Sequence, residues 1–295
     1  MEILHLTHPL DKGLAIQEPH VMALGFFDGV HLGHQYLLQQ AKDIAKKKNL
    51  KFAVMTFDPH PNEVIKSDND WRYLTPLPSK IEKMAAMGVD KLFVIKFNLS
   101  FASLPPSDFI KQYVIDLQAK HIVVGFDFTF GYKAQGNVDY LRDISINSPF
   151  EMTVISKRIM NDHKIGSTLI RKLIKDGDVH LVPYYLGKHY EINGCVHFSP
   201  DLYTQKKLNN VEFHIQSKYI LPKYGVYRVE ISNGCRTIQG FFKYSNAYEK
   251  KYELSSNKID WLKEGKQKKV TVKFLNKLAY VNTISLSTKE FVLPG

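Results

Sequence analysis

The chain has 295 residues, of which 44% are hydrophobic and 12% are aromatic. This composition excludes a disordered chain and is enough for a core spread over roughly two domains. The formal net charge of +11 is uneven, because residues 1–186 carry 22 Lys and Arg against 20 Asp and Glu, whereas residues 187–295 carry 18 against 9. The basic run KEGKQKK at 263–269 is more typical of a solvated hairpin tip than of a nucleic-acid site, so we do not expect nucleic acid as a partner.

The sequence also argues against a membrane protein and a zinc protein. No apolar run approaches the roughly 18 residues that a membrane helix needs. The N-terminus, MEILHLTHPLDKG, has neither the charged region nor the cleavage site of a secretion signal. Cys195 and Cys235 are isolated rather than paired at metal-ligand spacing, so we expect neither a zinc site nor a required disulfide. We therefore expect a cytoplasmic protein.

Short apolar runs alternate with helical patterns in the first part of the chain. The runs are too continuous for half-exposed strands and predict buried ones, whereas segment 34–48 has one apolar helical face. Strands alternating with helices predict an α/β fold with a parallel sheet and right-handed crossovers, whose ligands bind beyond the carboxyl ends of the strands. The predicted strands are 21–27, 52–57, 91–97, 121–126 and 151–156.

The pattern changes near residue 187. The later segments are short, rich in Val, Ile, Tyr and Phe, and separated by turn signals such as Asn-Gly. They predict an antiparallel β module, a small barrel or a sandwich, and a division into domains 1–187 and 188–295. The predicted strands of this module are 190–198, 210–217, 224–232, 237–244 and 268–275.

The stretch GFFDGVHLGH at 25–34 has two histidines around a glycine, where a strand turns into a helix. Backbone amides at a helix N-terminus attract anions, and the helix dipole adds to this attraction. His31 and His34 are three residues apart, so both imidazoles can donate hydrogen bonds to one phosphate group, which Gly33 lets approach closely. The stretch predicts a phosphate site for phosphoryl or nucleotidyl transfer.

A second cluster, GSTLIRKLIKDG, occupies 166–177. Ser167 or Thr168 can cap a helix here, Arg171 lies one turn further on the same face, and Gly177 suits the helix end. Taken alone, the segment is most simply a well-capped helix with a surface arginine. Paired with the first cluster, it predicts the other half of a triphosphate clamp.

Two further loops follow predicted strands. In VVGFDFTFGYKAQG, 123–136, Asp127 and its neighbouring aromatic residues could hold a planar heterocycle or belong to the core, and the residues leave both open. In TFDPHP, 56–61, two prolines make a rigid loop, which could position a ligand or be a plain turn. Its place at the same sheet edge favours a role in binding.

These motifs, together with YLTPLPSKIEKMAAMGVDKLFVIKFNLSFASLPPSDFI at 73–110, resemble in order and spacing the FAD synthetase module of the bacterial bifunctional riboflavin kinase/FMN adenylyltransferase family. The resemblance covers about residues 1–187. It implies a Rossmann-like nucleotidyltransferase sheet and an enzyme of FAD biosynthesis, which converts ATP and FMN to FAD and pyrophosphate with Mg²⁺. No enzyme nucleophile is needed, because the FMN phosphate attacks the α-phosphorus of ATP in line.

The resemblance also implies roles for individual residues, with Mg²⁺ bound mainly through the ATP phosphates. Two departures, Phe26 where asparagine is common and Gly166 where serine is common, look like tolerated variation. The implied catalytic residues are His31, His34 and Arg171, and the flavin-side residues are Pro59, Pro61 and Phe130. The implied ATP-binding residues are Gly25, Phe27, Asp28, His31, Gly33, His34, Asp127, Ser167, Thr168 and Arg171.

The C-terminal module departs further from the family. YGVYRVEISNG at 224–234 resembles a strand of the kinase barrel. The kinase signature, a glycine followed by Pro-Thr-Ala-Asn, is missing, and GCVHFSPDLYTQKKLNN stands in its place at 194–210. In the family, the threonine and asparagine of this signature hold Mg-ATP. We therefore predict a monofunctional FMN adenylyltransferase whose kinase-like barrel lacks kinase activity.

Three alternatives remain. One is a bifunctional enzyme with divergent kinase motifs, and another is a flavin- or RNA-binding regulator that kept the fold. Against a regulator stand the intact His31, His34 and Arg171, because pure binding has less need for a whole triphosphate clamp. The third is an aminoacyl-tRNA synthetase, for which the chain is short. The sequence leaves open the oligomeric state and the choice between oxidised and reduced flavin.

Overall fold

The computed structural model describes residues 1–11, 18–160, 163–197, 210–245, 252–256, 258 and 267–278. The chain forms two compact units, which do not follow the sequence in two simple blocks. The first unit comprises Met1–Arg171, Tyr185–Gly187 and Lys218–Ile220, and the second comprises Lys172–Tyr184, Lys188–Ser217 and Leu221–Gly295.

The first unit contains a six-stranded sheet with the order β1-β4-β3-β2-β5-β6, in which every neighbouring pair is parallel. This confirms the predicted α/β fold class. Each of the five predicted apolar runs overlaps a strand. Strand β1, an edge strand whose residues are mostly exposed, was not predicted. The strands are β1 Glu2–Thr7, β2 His20–Leu24, β3 Lys51–Asp58, β4 Lys91–Lys96, β5 Ala119–Gly125 and β6 Glu151–Ile155.

Helices cover both faces of this sheet, and each face has its own apolar core. One core packs Phe93, Phe109 and Tyr113 together, and the other packs Leu38 and Ala41 of the first helix against the opposite face. The helices are α1 Leu32–Lys48, α2 Pro61–Ile65, α3 Leu77–Ala86, α4 Leu99–Ala102, α5 Pro106–Ile110 and α6 Val138–Ser145, with a π-helical turn at Lys111–Ile115 and a 3₁₀ turn at Tyr132–Ala134. A hairpin of β7 Ile159–Met160 and β8 His163–Lys164 follows.

The winding of the sheet reverses at β2. From β2 the chain continues to β3 and β4 on one side, whereas β5 and β6 lie on the other side. Loops that leave the carboxyl ends of such strands diverge and open a crevice, where ligands of open α/β sheets bind. The loop after β2 at Leu24 and the loop after β5 at Gly125 flank this crevice.

The second unit contains a closed antiparallel barrel with the order β10-β13-β12-β11-β14-β9. The structure thus selects the barrel over the sandwich that the sequence also allowed. Aromatic side chains, among them Phe213, Phe242 and Phe274, are fully buried. Gly194 permits a close strand approach, because a Cβ atom there would collide with the His214 carbonyl oxygen and the Phe213 ring. The strands are β9 Glu191–His197, β10 Asn210–Ile215, β11 Gly225–Ser232, β12 Thr237–Tyr244, β13 Tyr252–Ser255 and β14 Gln267–Lys277.

Strand β13 was not anticipated from the sequence, and residues 198–209, which cover most of the segment where the kinase signature would fall, lie outside the described residues. The remaining elements connect the sheet and the barrel in sequence. None of the helices in the described ranges combines the length and apolar character that a membrane crossing requires. These connecting elements are α7 Ser167–Asp176, a 3₁₀ turn at Val179–Leu181 and α8 Val182–Leu186.

Candidate active site

Two stacked imidazoles lie at the N-terminus of α1. His31 is the N-cap residue, and its Nδ1 accepts a hydrogen bond from the backbone N–H of His34 at 3.2 Å. The two rings stack with centroids 3.6 Å apart and an interplanar angle of 19°. The structure therefore brings the two predicted histidines together at a helix end, where unpaired N–H groups and the helix dipole favour an anion.

Burial keeps both imidazoles neutral near pH 7. Desolvation lowers the pKa of His31 from 6.5 to about 4, although the charges of Asp28 and Asp127 oppose the shift. The pKa of His34 lies well below 6.5 because of burial, with smaller contributions from His31 and Lys80. A neutral imidazole carries one N–H, and because Nδ1 of His31 accepts a hydrogen bond, its Nε2 must be the donor. Nδ1 of His34 is buried and has no hydrogen-bond partner among the described residues.

The backbone of the loop leaves little room for side chains at its glycines. A Cβ atom on Gly33 would lie 3.2 Å from the His31 ring, and one on Gly25 would lie 2.9 Å from the Phe27 ring. Phe27 itself is 2% exposed and meets the His34 ring edge-on at 5.2 Å. Gly25 and Phe27 therefore shape the loop of residues 25–31 between β2 and α1, here called the histidine loop.

Asp28 joins the two sequence clusters that predicted a triphosphate clamp. Its carboxylate lies 2.5 Å from Nη2 of Arg171 and accepts hydrogen bonds from the backbone N–H groups of Thr75 at 3.0 Å and Leu74 at 3.3 Å. The side chain of Asp28 is 5% exposed. Because these donors occupy the carboxylate, Asp28 orients Arg171 and the chain around residue 75.

Ser167 is tied to the same residue, and this corrects one expectation. The helix α7 begins at Ser167, whose hydroxyl donates to the backbone oxygen of Asp28 at 3.0 Å. Ser167 therefore anchors the helix to the histidine loop rather than capping it, and Thr168 is an exposed residue of the first turn. The expected end of the helix is confirmed, because Gly177 has φ of 90° and its N–H donates to the oxygen of Ile174.

Arg171 contacts one end of a row of rings, Trp71, His60 and Phe26, to which the sequence assigned no role. The guanidinium of Arg171 lies 4.3 Å from the centroid of the Trp71 ring, and the ring of His60 stacks on Trp71 with centroids 4.0 Å apart. Phe26 meets His60 edge-on at 4.4 Å. Nε1 of Trp71 is buried without a hydrogen-bond partner in the described chain. A single tryptophan in a polar run, DNDWR, has no periodicity, so only the tertiary structure reveals its place.

A buried lysine, Lys80, is hydrogen-bonded to the backbone of the histidine loop. Nζ of Lys80 donates to the backbone oxygen of Phe26 at 2.8 Å and to Oγ1 of Thr56 at 3.1 Å, and it lies 4.0 Å from the centroid of the Phe26 ring. Lys80 is 1% exposed, and burial lowers its pKa from 10.5 to about 8, against the opposing charges of Asp28 and Asp58. Its sequence context, LPSKIEK, is that of an ordinary amphipathic helix and gave no signal.

Comparison with known proteins identifies the family. The model of the family described as FAD synthetase matches residues 14–169, which is more than half of the chain. The chain belongs to the FAD synthetase family. This confirms the resemblance drawn from the sequence motifs.

Curated relatives of this FAD synthetase family member carry both activities in their names. A Listeria monocytogenes protein named bifunctional riboflavin kinase/FMN adenylyltransferase is 39% identical over 236 residues, covering 78% of this chain and 73% of the relative. A Bacillus subtilis protein of the same name is 39% identical over 272 residues, covering 88% and 83%. A Streptococcus pneumoniae crystal structure, named as a macrolide-efflux protein, has a TM-score of 0.79 at 25% identity, covering 94% of this chain and 100% of that one.

The remaining predicted residues of this FAD synthetase family member lie in different surroundings. Asp127 is exposed after β5 and forms an ion pair with Lys164 at 2.5 Å. Pro59 and Pro61 are half-buried where β3 gives way to α2. Phe130, by contrast, is only 7% exposed and packs in the core, so its expected place beside the flavin stays a prediction.

Proposed function

We propose that the first unit transfers the AMP moiety of ATP to FMN, giving FAD and pyrophosphate, at the carboxyl edge of the parallel sheet. Family membership supports the reaction. The observation that carries the location is the His31–His34 stack at a helix N-terminus, joined to Arg171 through Asp28. Cationic and N–H donor groups thus converge where a polyphosphate would be bound.

ATP would be held between the two clusters. Nε2–H of His31 and the imidazole of His34 would donate to phosphate oxygens, and Arg171, Ser167 and Thr168 would bind the phosphates from the other side. A guanidinium has five N–H donors, so its ion pair with Asp28 leaves others to bind phosphate. Gly25, Phe27, Asp28 and Gly33 would shape the loop, and Asp127 would lie near the nucleotide.

FMN would approach from the side of Pro59, Pro61 and Phe130. An oxygen of the FMN phosphate forms the new bond to the α-phosphorus, while the bond from that phosphorus to the α–β bridging oxygen breaks and pyrophosphate leaves with the electron pair. The chain positions the reactants in line and stabilises the negative charge that builds on the phosphate oxygens. No covalent enzyme intermediate is required.

Mg²⁺ would enter with ATP, bound mainly through the phosphates. No three His, Cys, Asp or Glu side chains form a metal-binding group in the described parts of the chain. Asp28 already contacts Arg171, and Asp127 already contacts Lys164. These carboxylates therefore fit a role in orienting cationic side chains, and the metal would supply charge neutralisation to the phosphates.

We further propose that domain 188–295 has no riboflavin kinase activity, because the family's glycine and Pro-Thr-Ala-Asn signature is absent from the sequence at 194–210. A bifunctional enzyme with divergent kinase motifs is the second candidate, favoured by the names of the relatives. The cytoplasmic location of the enzyme stays a prediction.

One assay tests both proposals. The purified full-length protein is incubated with Mg-ATP and either FMN or riboflavin, each oxidised or reduced, and the flavins are separated by chromatography. We expect FAD from FMN and no FMN or FAD from riboflavin. Absence of FAD with both oxidised and reduced FMN would overturn the proposed adenylyltransferase activity. Conversion of riboflavin to FMN would establish the bifunctional alternative.

A further inference from the structure

Three residues from the C-terminal part of the chain belong to the first unit. Lys218–Ile220, here called the strap, follows β10 and precedes β11 in sequence, yet it forms part of the compact unit that contains the parallel sheet. We propose that the strap is a positioning element for the flavin side of the adenylyl-transfer site. The proposal rests on the proposed function, and it assigns a task to residues outside the nucleotidyltransferase motifs.

The strap is bound to the chain between α2 and α3 by backbone hydrogen bonds. Tyr73 and Tyr219 form a parallel bridge, in which the N–H of Tyr73 donates to the oxygen of Lys218 at 2.7 Å and the N–H of Ile220 donates to the oxygen of Tyr73 at 2.8 Å. Tyr73, Tyr219 and Ile220 are all buried. Without the strap, both backbone polar groups of Tyr73 would need other partners, which is costly for a buried residue.

Side chains of the strap reach two neighbouring elements. Nζ of Lys218 donates to Oε2 of Glu63 in α2 at 2.8 Å and to the backbone oxygen of Asn69 at 3.2 Å. The hydroxyls of Tyr219 and Ser79, at the start of α3, are hydrogen-bonded at 2.7 Å. The strap therefore fixes both ends of the connection between α2 and α3 as well as its middle.

This connection carries groups of the candidate site. The hydroxyl of Tyr73 donates to Glu63 and accepts the backbone N–H of His60 at 2.9 Å. His60 lies between Pro59 and Pro61, the two prolines on the proposed flavin side, and its ring stacks on Trp71. A short path of direct contacts thus leads from Lys218, through Glu63 and Tyr73, to the loop that would face FMN.

The connection depends on such contacts because it has little regular structure of its own. Between Lys66 and Pro76 it forms no helix or strand, only the bridge at Tyr73. Ordering a loop in one conformation costs conformational entropy for each residue, and a reactant displaced by about 1 Å can lose on the order of 100-fold in rate. Contacts that fix the loop before FMN arrives reduce the entropy lost on binding.

The test uses full-length variants and a matched control. Lys218→Ala removes the contacts with Glu63 and Asn69, and Lys218→Arg restores a cationic donor. Lys273→Ala removes a comparable exposed ion pair within the barrel, between Lys273 and Glu230 at 2.7 Å. The measurements are kcat and KM for FMN and for ATP, with urea unfolding as the measure of stability.

We expect Lys218→Ala to raise KM for FMN about fivefold, more than KM for ATP, and Lys218→Arg to restore much of this loss. Lys273→Ala should change stability to a similar small extent and leave both KM values unchanged. An unchanged KM for FMN in Lys218→Ala, or an equal rise in Lys273→Ala, would overturn the role of the strap while the adenylyltransferase stands. Failure of the wild-type protein to form FAD would overturn both.

Discussion

His31 combines a structural role with a proposed chemical role in one side chain. Its Nδ1 caps α1 by accepting the N–H of His34, and this contact leaves Nε2 as the N–H that can donate to phosphate. Helix caps and phosphate donors are usually different residues, so a simple alanine variant would confuse the two effects. Asparagine separates them, because it is among the best N-cap residues and has no imidazole.

We predict that His31→Asn and His31→Ala both lower kcat for FAD formation by about 100-fold, the effect of removing one donor from developing charge. His31→Ala should also lower the free energy of unfolding by about 1 kcal/mol through loss of the cap, whereas His31→Asn should not. Steady-state kinetics and urea unfolding measure the two effects. A folded His31→Asn protein with wild-type kcat would contradict the assignment.

Lys80 is a buried residue that supports the backbone of the candidate site. Its ammonium group is buried beside the Phe26 oxygen and the Thr56 hydroxyl, and the carboxylates that favour its charge, Asp28 and Asp58, act without a direct hydrogen bond to it. Burial is the main cause of the lowered pKa of both His34 and His60, and the charge of Lys80 adds a smaller contribution to each. The lysine therefore places positive charge behind the loop that would bind ATP.

The lowered pKa of Lys80, about 8 in the folded protein, makes a pH prediction. Between about pH 8 and pH 10 the unfolded chain keeps this proton and the folded chain loses it, so the free energy of unfolding rises with pH by up to about 1.4 kcal/mol per pH unit from this group. We expect Lys80→Met to lack this rise. Urea unfolding of both proteins across the window measures it, and a constant difference between them would contradict the prediction.

At the scale of elements, α7 is attached to the histidine loop by the Ser167 hydroxyl and by a largely buried ion pair. Asp28 precedes α1 by four residues, and Arg171 lies in α7, so their contact at 2.5 Å joins elements more than 140 residues apart in sequence. The side chains are 5% and 16% exposed. Removing one partner of such a pair leaves the other charge buried without compensation, which costs more than an intact pair contributes.

We predict that Asp28→Asn lowers the free energy of unfolding by about 3 kcal/mol. The matched control is Asp139→Asn, which removes an exposed Asp–Arg pair within α6, Asp139 with Arg142 at 2.6 Å, and should cost less than about 1 kcal/mol. Urea unfolding of both variants gives the comparison. Equal effects would mean that the Asp28–Arg171 contact contributes no more than a surface pair.

At the scale of the whole molecule, the C-terminal part would remain useful to an enzyme without kinase activity. A chain ending at the predicted boundary of 187 would lack Lys218–Ile220, and hence the backbone partners of Tyr73.

The alternative of a flavin- or RNA-binding regulator is supported by the excess of basic residues after position 186, which number 18 against 9 acidic ones. Salt-sensitive RNA binding without turnover would favour this alternative over the enzyme.

The sequence by itself determined the fold class and pointed to the centre of the candidate site. Alternation of apolar runs with a helical period is local information, so five of the six parallel strands and the face of α1 could be predicted from it. The edge strand β1 was not predicted because only one of its residues, Leu6, is buried, and its sequence therefore has no long apolar run. His31, His34 and Arg171 could be proposed as site residues because the glycines and hydroxyl residues around them form recognisable local patterns, and their roles stay predictions.

Only the tertiary structure decided how the site is held together. Three contacts join residues between about 47 and 150 positions apart: Asp28 with the Thr75 N–H, Lys80 with the Phe26 oxygen, and the strap with Tyr73. No periodicity of the sequence links such positions. Closure of the barrel also depends on contacts across strands, such as the fit of Gly194 against Phe213. Periodicity records which face of an element is buried, whereas the partner on that face is fixed only when the chain is folded.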